Sequence, residues 1–224
     1  NDNYLTVNHY DKVLEEQWKA LPNYIEGENN VLVMADTSGS MMGRPMATAI
    51  GLAIYFAERN KGVFKDVFMT FSERPSFVQL KGKTLYEKIQ CIPSIVENTN
   101  LEAAFRLILN TAINNNLTAE DMPKSLIVIS DMEFDKQSNN DHSTWHNAMV
   151  SMFNNHGYEM PNIIYWNVDS RNNVFQVTSE YKGVQLASGQ SPSVFKSVLN
   201  NIGKTPYEAM ISVLNDSIYD CITI

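Results

Sequence analysis

Three short runs of oxygen-bearing residues in this 224-residue chain could hold a cation. Asp36-Thr37-Ser38-Gly39-Ser40 follows the apolar run VLVMA (31–35), and Asp131-Met132-Glu133 follows SLIVIS (125–130). Asn98-Thr99-Asn100 opens a segment of helical period at 101. Carboxylate and hydroxyl donors of this kind select a hard cation over a soft one. Ser38 and Ser40 stand two apart, so on an extended loop both can face one ion. Asp36, Ser38, Ser40, Thr99 and Asp131 together supply two carboxylates and three neutral hydroxyls, which just balance a divalent charge. An ion so held keeps electrophilicity for one further anionic ligand. Mg²⁺, which retains waters and prefers octahedral oxygen coordination, suits this set, with Mn²⁺ or Ca²⁺ as alternatives.

These donors can share an ion only if the elements before them end side by side. VLVMA and SLIVIS are continuous apolar runs, the pattern of strands buried on both faces of a parallel sheet. Pro45 suits a first helical turn, and Met46, Ala49, Ile50, Ala53, Phe56 and Ala57 repeat at three and four, predicting a core-facing helix that ends near Gly62. The short link between 67–71 and 77–80 predicts an antiparallel hairpin with one member at the sheet edge. Further helices are predicted at 9–21, 84–90, 101–112, 143–155, 193–200 and 206–213, and strands at 162–166 and 184–186. The alternation predicts an α/β fold, a doubly wound, mostly parallel central sheet with one antiparallel edge strand and helices on both faces. Ligands of such sheets bind beyond the C-terminal strand ends, at the switch in strand order. Residues 1–30 read as an N-terminal helix and turn-rich linker, and 31–224 as one domain that includes the C-terminal helices. The apolar faces of the outermost helices (Val13, Leu14, Trp18; Tyr207, Met210, Ile211, Leu214) predict that both pack against the flanking layer or each other.

Composition narrows the function. Seventeen Lys+Arg against 25 Asp+Glu give a net charge of −8, which argues against broad nucleic-acid binding through the phosphate backbone. The cysteines, Cys91 and Cys221, form no CxxC, so neither a disulfide framework nor a zinc ribbon is expected. The longest apolar run, 49–57, falls short of the roughly 20 residues that span a bilayer. The polar start carries no secretory pattern, and the expectation is an intracellular protein without membrane contact. No GxxxxGK[ST], GxGxxG or G-x-S-x-G motif is present, and no His stands beside Ser38 or Ser40 to activate a nucleophile. A non-enzymatic module is therefore expected, with a metal-assisted phosphoester hydrolase as the alternative.

Several residues have plainer readings. Thr99 and Glu102 also fit a capping box. His142 and His146 read as a solvated helix start capped by Ser143 or Thr144. Glu133, Asp135 and Asp141 read as a solvated loop. Trp145 and Trp166 are expected in the core or half-buried.

Asp36-x-Ser38-x-Ser40, Thr99 and Asp131 resemble the metal-ion-dependent adhesion site of von Willebrand factor A (vWA) domains, over about residues 31–200. The resemblance implies a mostly parallel sheet with one antiparallel edge strand and direct coordination by Ser38, Ser40 and Thr99. It also implies that Asp36 and Asp131 often act through water, and that a partner protein's Asp or Glu carboxylate fills the open position. Two departures stand out: Glu97-Asn98 replaces the usual Gly-rich approach to the threonine, and Asp131-Met132 replaces the usual Asp-Gly. The phrases AIGLAIYFAERN, NTNLEAAF, EDMPKSLIVISDMEFD and TPYEAM are similar to the C-terminal vWA-like module of a large uncharacterised family found in bacteria, eukaryotes and giant DNA viruses. A more distant similarity is to the vWA half of Ro (TROVE) RNA-binding proteins, whose RNA is held mainly by a helical-repeat ring before that module. About 30 residues precede the module in this sequence, so nucleic-acid binding is expected only through regions outside the chain, and the vWA part of an RNA-binding (TROVE-like) particle protein stands as a further alternative.

Overall fold

A computed structural model describes residues 9–25, 30–93, 100–132, 142–169, 183–202 and 204–217, apart from the side chains of residues 142–144 and 206. The two runs that precede the aspartates are β1 (Val31–Asp36) and β4 (Ser125–Ser130), and every residue in both is buried. The other strands are β2 (Val67–Phe71), β3 (Phe77–Gln79), β5 (Asn162–Asn167) and β6 (Val184–Ser188). They form one sheet in the order β3-β2-β1-β4-β5-β6. All pairings are parallel except β2–β3, whose hairpin places β3 at the edge. This is the predicted architecture. The chain leaves β1 toward β2 on one side and returns to β4 on the other, so the switch in strand order falls between β1 and β4.

Side-chain alternation divides the core into two layers. Val31, Val33 and Ala35 of β1 and Ile127 and Ile129 of β4 face α2 (Arg44–Arg59), α3 (Leu85–Ile89) and α6 (Pro192–Asn201). Leu32 and Met34, with Leu126 and Val128, face α4 (Leu101–Asn114) and α5 (His142–Asn155). The helix predicted from the three-and-four spacing is α2, and its buried residues include Met46, Ala49, Ile50, Ala53, Phe56 and Ala57. Trp166 lies in the first layer and Trp145 packs against the second, as expected.

The N-terminal helix α1 (Lys12–Lys19) is stapled to α2 and α3. Trp18 donates its indole N–H to Glu58 and meets Tyr55 edge-on, and Glu58 also takes Lys88 Nζ at 2.6 Å. Glu15, only 3% exposed, accepts the first backbone N–H of α3 from Leu85 at 2.8 Å. The segment after α1 is tied down through Tyr55, whose hydroxyl donates to Pro22 O and accepts from Tyr24 N. Arg59 stacks over the Tyr55 ring and donates to Leu21 O.

The last helix, α7 (Pro206–Leu214), corrects an expectation. Tyr207, Met210, Val213 and Leu214 are 49–68% exposed, so most of its apolar side chains are not covered by the described residues. Its own local chemistry explains how it forms: Pro206 opens it, and Thr205 and Glu208 make a reciprocal capping box. On α1, Val13 and Leu14 are likewise exposed, and Trp18 is the packed member of its predicted face.

Candidate metal centre

The β1–β4 register runs from Val31↔Ser125 to Ala35↔Ile129, so the next step sets Asp36 level with Ser130. Both occupy the face of Leu32, Met34, Leu126 and Val128, because alternate residues share a face. The side chains meet there: Ser130 Oγ donates to Asp36 Oδ2 at 2.5 Å. The other carboxylate oxygen, Oδ1, accepts the Ser38 backbone N–H at 2.8 Å. Asp36 is thus held at both oxygens, and it is 1% exposed.

Beyond Asp36 the backbone remains extended at Ser38, then enters a single 3₁₀ turn, Gly39–Met41. The stretch is therefore not the continuous extended loop read from the sequence, yet the turn brings Ser38 Oγ and Ser40 Oγ to 3.1 Å. Met41, fully buried, pins the turn to the core. Asp131 follows directly after β4, 5% exposed, with its charge felt at Asp36. Four of the five predicted donors thus gather at the switch point, and Thr99 lies outside the described residues.

The neighbouring residue revises the capping prediction. Asn100, not Thr99, is the N-cap of α4, accepting the Ala103 N–H at 3.0 Å. Glu102 pairs instead with Arg106 one turn along. Asn100 N also donates to Ser72 O, tying the start of α4 to the end of β2. A second correction concerns His146, which is 9% exposed and lies beside Trp145 rather than on a solvated helix start. The helix begins at His142, so Ser143 and Thr144 are inside it. Glu133, Asp135 and Asp141 lie outside the described residues.

The donor set fits a hard divalent cation. Two ligands at right angles around Mg²⁺, each about 2.1 Å from it, are about 3 Å apart, and the two serine oxygens have that spacing. Burial, first, and the neighbouring Asp131 push the Asp36 carboxyl above its ordinary value, against the hydrogen bonds from Ser130 and Ser38. A cation would offset that cost of burying charge. Among the described residues no three His, Cys, Asp or Glu side chains form a metal-binding group.

Sequence reasoning did not single out Ser130, which reads as the last residue of an apolar strand. Nor did it find that Met132 has a φ of +63°. Left-handed backbone is what glycine adopts without a Cβ penalty, and Met132 stands where the vWA pattern has glycine. The Met132 side chain is 4% exposed in the layer beside α4 and α5, and this burial offsets the strain. Substitution should therefore invert the usual order of alanine and glycine. Both Met132→Ala and Met132→Gly forfeit about 2–5 kcal/mol of packing, but only glycine also relieves about 1 kcal/mol of backbone strain. Urea denaturation should rank wild type above Met132→Gly and Met132→Gly above Met132→Ala; an alanine variant more stable than the glycine one would refute this account.

A profile described as a domain of unknown function (DUF7788) matches residues 30–217. The chain belongs to the DUF7788 family. Its match begins one residue before β1 and runs past α7, so the whole sheet of this DUF7788 chain lies inside it. An uncharacterized protein, L728, of Acanthamoeba polyphaga mimivirus is 30% identical over 217 residues, covering 94% of this chain and 38% of that protein. The chain thus spans little more than a third of the length of that relative. Among solved structures, the Ro (RSR) protein of Deinococcus radiodurans superposes on 84% of this chain and 36% of its own, with a TM-score of 0.57 and 13% identity. That likeness is one of fold. The SpRpn10 VWA domain matches 76% of this chain and 93% of its own at 11% identity, with a TM-score of 0.45. No helix among the described residues of this DUF7788 domain is long and apolar enough to cross a membrane.

Proposed function

We propose that this vWA-type module binds a divalent cation of the Mg²⁺ class through Asp36, Ser38, Ser40, Thr99 and Asp131 and uses it to recognise a carboxylate on a partner protein. The observation that carries the reading is the 3.1 Å approach of Ser38 Oγ to Ser40 Oγ at the end of β1, beside two buried carboxylates. When bound, the ion would supply a Lewis-acidic position for one external anionic oxygen. The chain's own residues do the rest. Ser38 N–H and Ser130 Oγ fix the Asp36 carboxylate, the 3₁₀ turn converges the serine hydroxyls, and the two aspartates provide the charge that retains the cation. Hydroxyls as neutral donors leave the ion's remaining affinity for the partner.

Recognition of this kind depends on one short-range contact more than on the charged surface. A net charge of −8 disfavours an acidic partner at long range, and salt screens that repulsion. Pull-down from native extract should lose its specific partner in EDTA or with Thr99→Ala, and lose much less on raising salt to 0.5 M. Restoring excess Mg²⁺ should restore capture by the wild type. A partner kept equally in EDTA would remove the metal from recognition, and steady hydrolysis of p-nitrophenyl phosphate that is lost in Asp36→Ala would favour a hydrolase instead.

A further inference from the structure

We infer that Ser130 is the positioning residue of this centre, one hydroxyl that sets both metal-site aspartates; the inference rests on the metal-binding reading above. Ser130 is completely buried at the last position of β4. Its single proton goes to Asp36 Oδ2, on the adjacent strand and 94 residues earlier in the chain. Its lone pair accepts the Met132 backbone N–H at 3.0 Å, closing over Asp131. The two bonds fix the hydroxyl's direction, because an oxygen that accepts from an N–H and has one proton to give can donate only to the remaining partner.

The consequences reach both sides of the switch point. Asp36 Oδ2 is held by Ser130 and Oδ1 by Ser38 N–H, so the carboxylate cannot turn about its own axis without breaking a buried hydrogen bond. Met132 N–H anchors the left-handed turn that follows Asp131, and with it the direction in which the chain leaves β4. Neither strand alone could do this. Ser130 stands beside Asp36 only through the parallel register, and beside Met132 only because the chain turns sharply after the strand. Outer groups that orient metal ligands typically account for 10–100-fold in affinity.

A second buried serine provides the control. Ser125, at the other end of β4, is equally inaccessible, and its Oγ makes no hydrogen bond among the described residues. Removing that hydroxyl leaves no partner stranded.

The test is titration of the whole chain with Mn²⁺, followed by calorimetry and by the electron paramagnetic resonance of free ion, with folding checked by circular dichroism. Ser130→Ala should bind Mn²⁺ about 10–100-fold more weakly than wild type. Ser130→Thr, which keeps the hydroxyl, should recover to within about threefold, and Ser125→Ala should match wild type. Should Ser130→Ala not fold, Ser130→Cys carries the test, since its volume is close and its S–H is a weak donor; it must then bind more weakly than wild type. Wild-type affinity in a folded Ser130→Ala or Ser130→Cys overturns the inference while leaving the metal site standing. A folded threonine variant no better than alanine overturns it too, by showing that the hydroxyl is not what matters. Wild type that binds no Mn²⁺ overturns the metal reading and this inference together.

Discussion

Millimolar Mg²⁺ will raise the melting temperature of the wild-type domain and leave Asp36→Asn where it stands in EDTA. A ligand of the native state present 100-fold above its Kd adds about 2.7 kcal/mol, or about 5–10 °C for a domain of this size. The asparagine is a near-isostere, so packing at the end of β1 is kept, while the charge and one of the two oxygens that accept from Ser38 N–H and Ser130 Oγ are lost. Asp36 also predicts how the metal-free protein responds to pH. Burial, and then Asp131, raise its carboxyl above the ordinary value of 3.8 in spite of the bonds from Ser130 and Ser38. A carboxyl raised in the folded state contributes stability that is full below 3.8 and is lost as pH rises through the folded value. At pH 7 without metal, the ionised Asp36 therefore carries a cost that asparagine does not. In EDTA the stability of wild type relative to Asp36→Asn should increase as pH falls from 7 toward 4. A wild-type melting curve indifferent to both Mg²⁺ and EDTA would sink the site. A difference between the two in EDTA that does not change between pH 7 and pH 4 would sink the account of its electrostatics.

Phe195→Ala should unfold the domain at a much lower urea concentration and release the segment before β1. The Phe195 ring meets Tyr24, Tyr55, Phe56 and Trp166, with centroids 5.3–6.2 Å apart. It joins α6 to α2, to the central sheet and to residues 21–25. Loss of a large aromatic from a core costs about 3–5 kcal/mol, and each edge-on or stacked pair is worth about 0.5–1.5 kcal/mol beyond its buried area. Phe195 is only partly buried, so about 3 kcal/mol is expected, with early proteolysis near Tyr24. Phe195→Leu should cost less than half as much. Equal stability of Phe195→Ala and wild type would mean that these contacts do not hold α6 in solution.

The strands and the site aspartates were legible because both are written locally. VLVMA and SLIVIS are unbroken apolar runs, and the polar residues that end them mark the sheet edge where ligands bind. Helix α2 was legible for the same reason, since its apolar spacing matches its buried face. What escaped depends on neighbours distant in sequence. Ser130 acquires its role only through the register with β1, and Phe195 only through four rings drawn from three segments. Met132 shows that a residue other than glycine can hold left-handed backbone when its buried side chain offsets the strain. The cap of α4 is Asn100 rather than Thr99; asparagine is the better cap by residue type, and its N–H is tied to Ser72 O just after β2. His146 and α7 failed in opposite senses: a polar residue was buried by its helix's packing, and an apolar face was left outside it.

Asp36 and Asp131 lie at the ends of adjacent strands that are far apart along the chain, and no local segment brings them together. Their closeness thus exists only once β1 and β4 have paired across that long loop. Until then neither carboxylate burdens the other, and neither is desolvated. The electrostatic cost of the pair therefore belongs to states in which β1 and β4 have met, and a cation that neutralises it has no counterpart site to stabilise in the chain before that pairing.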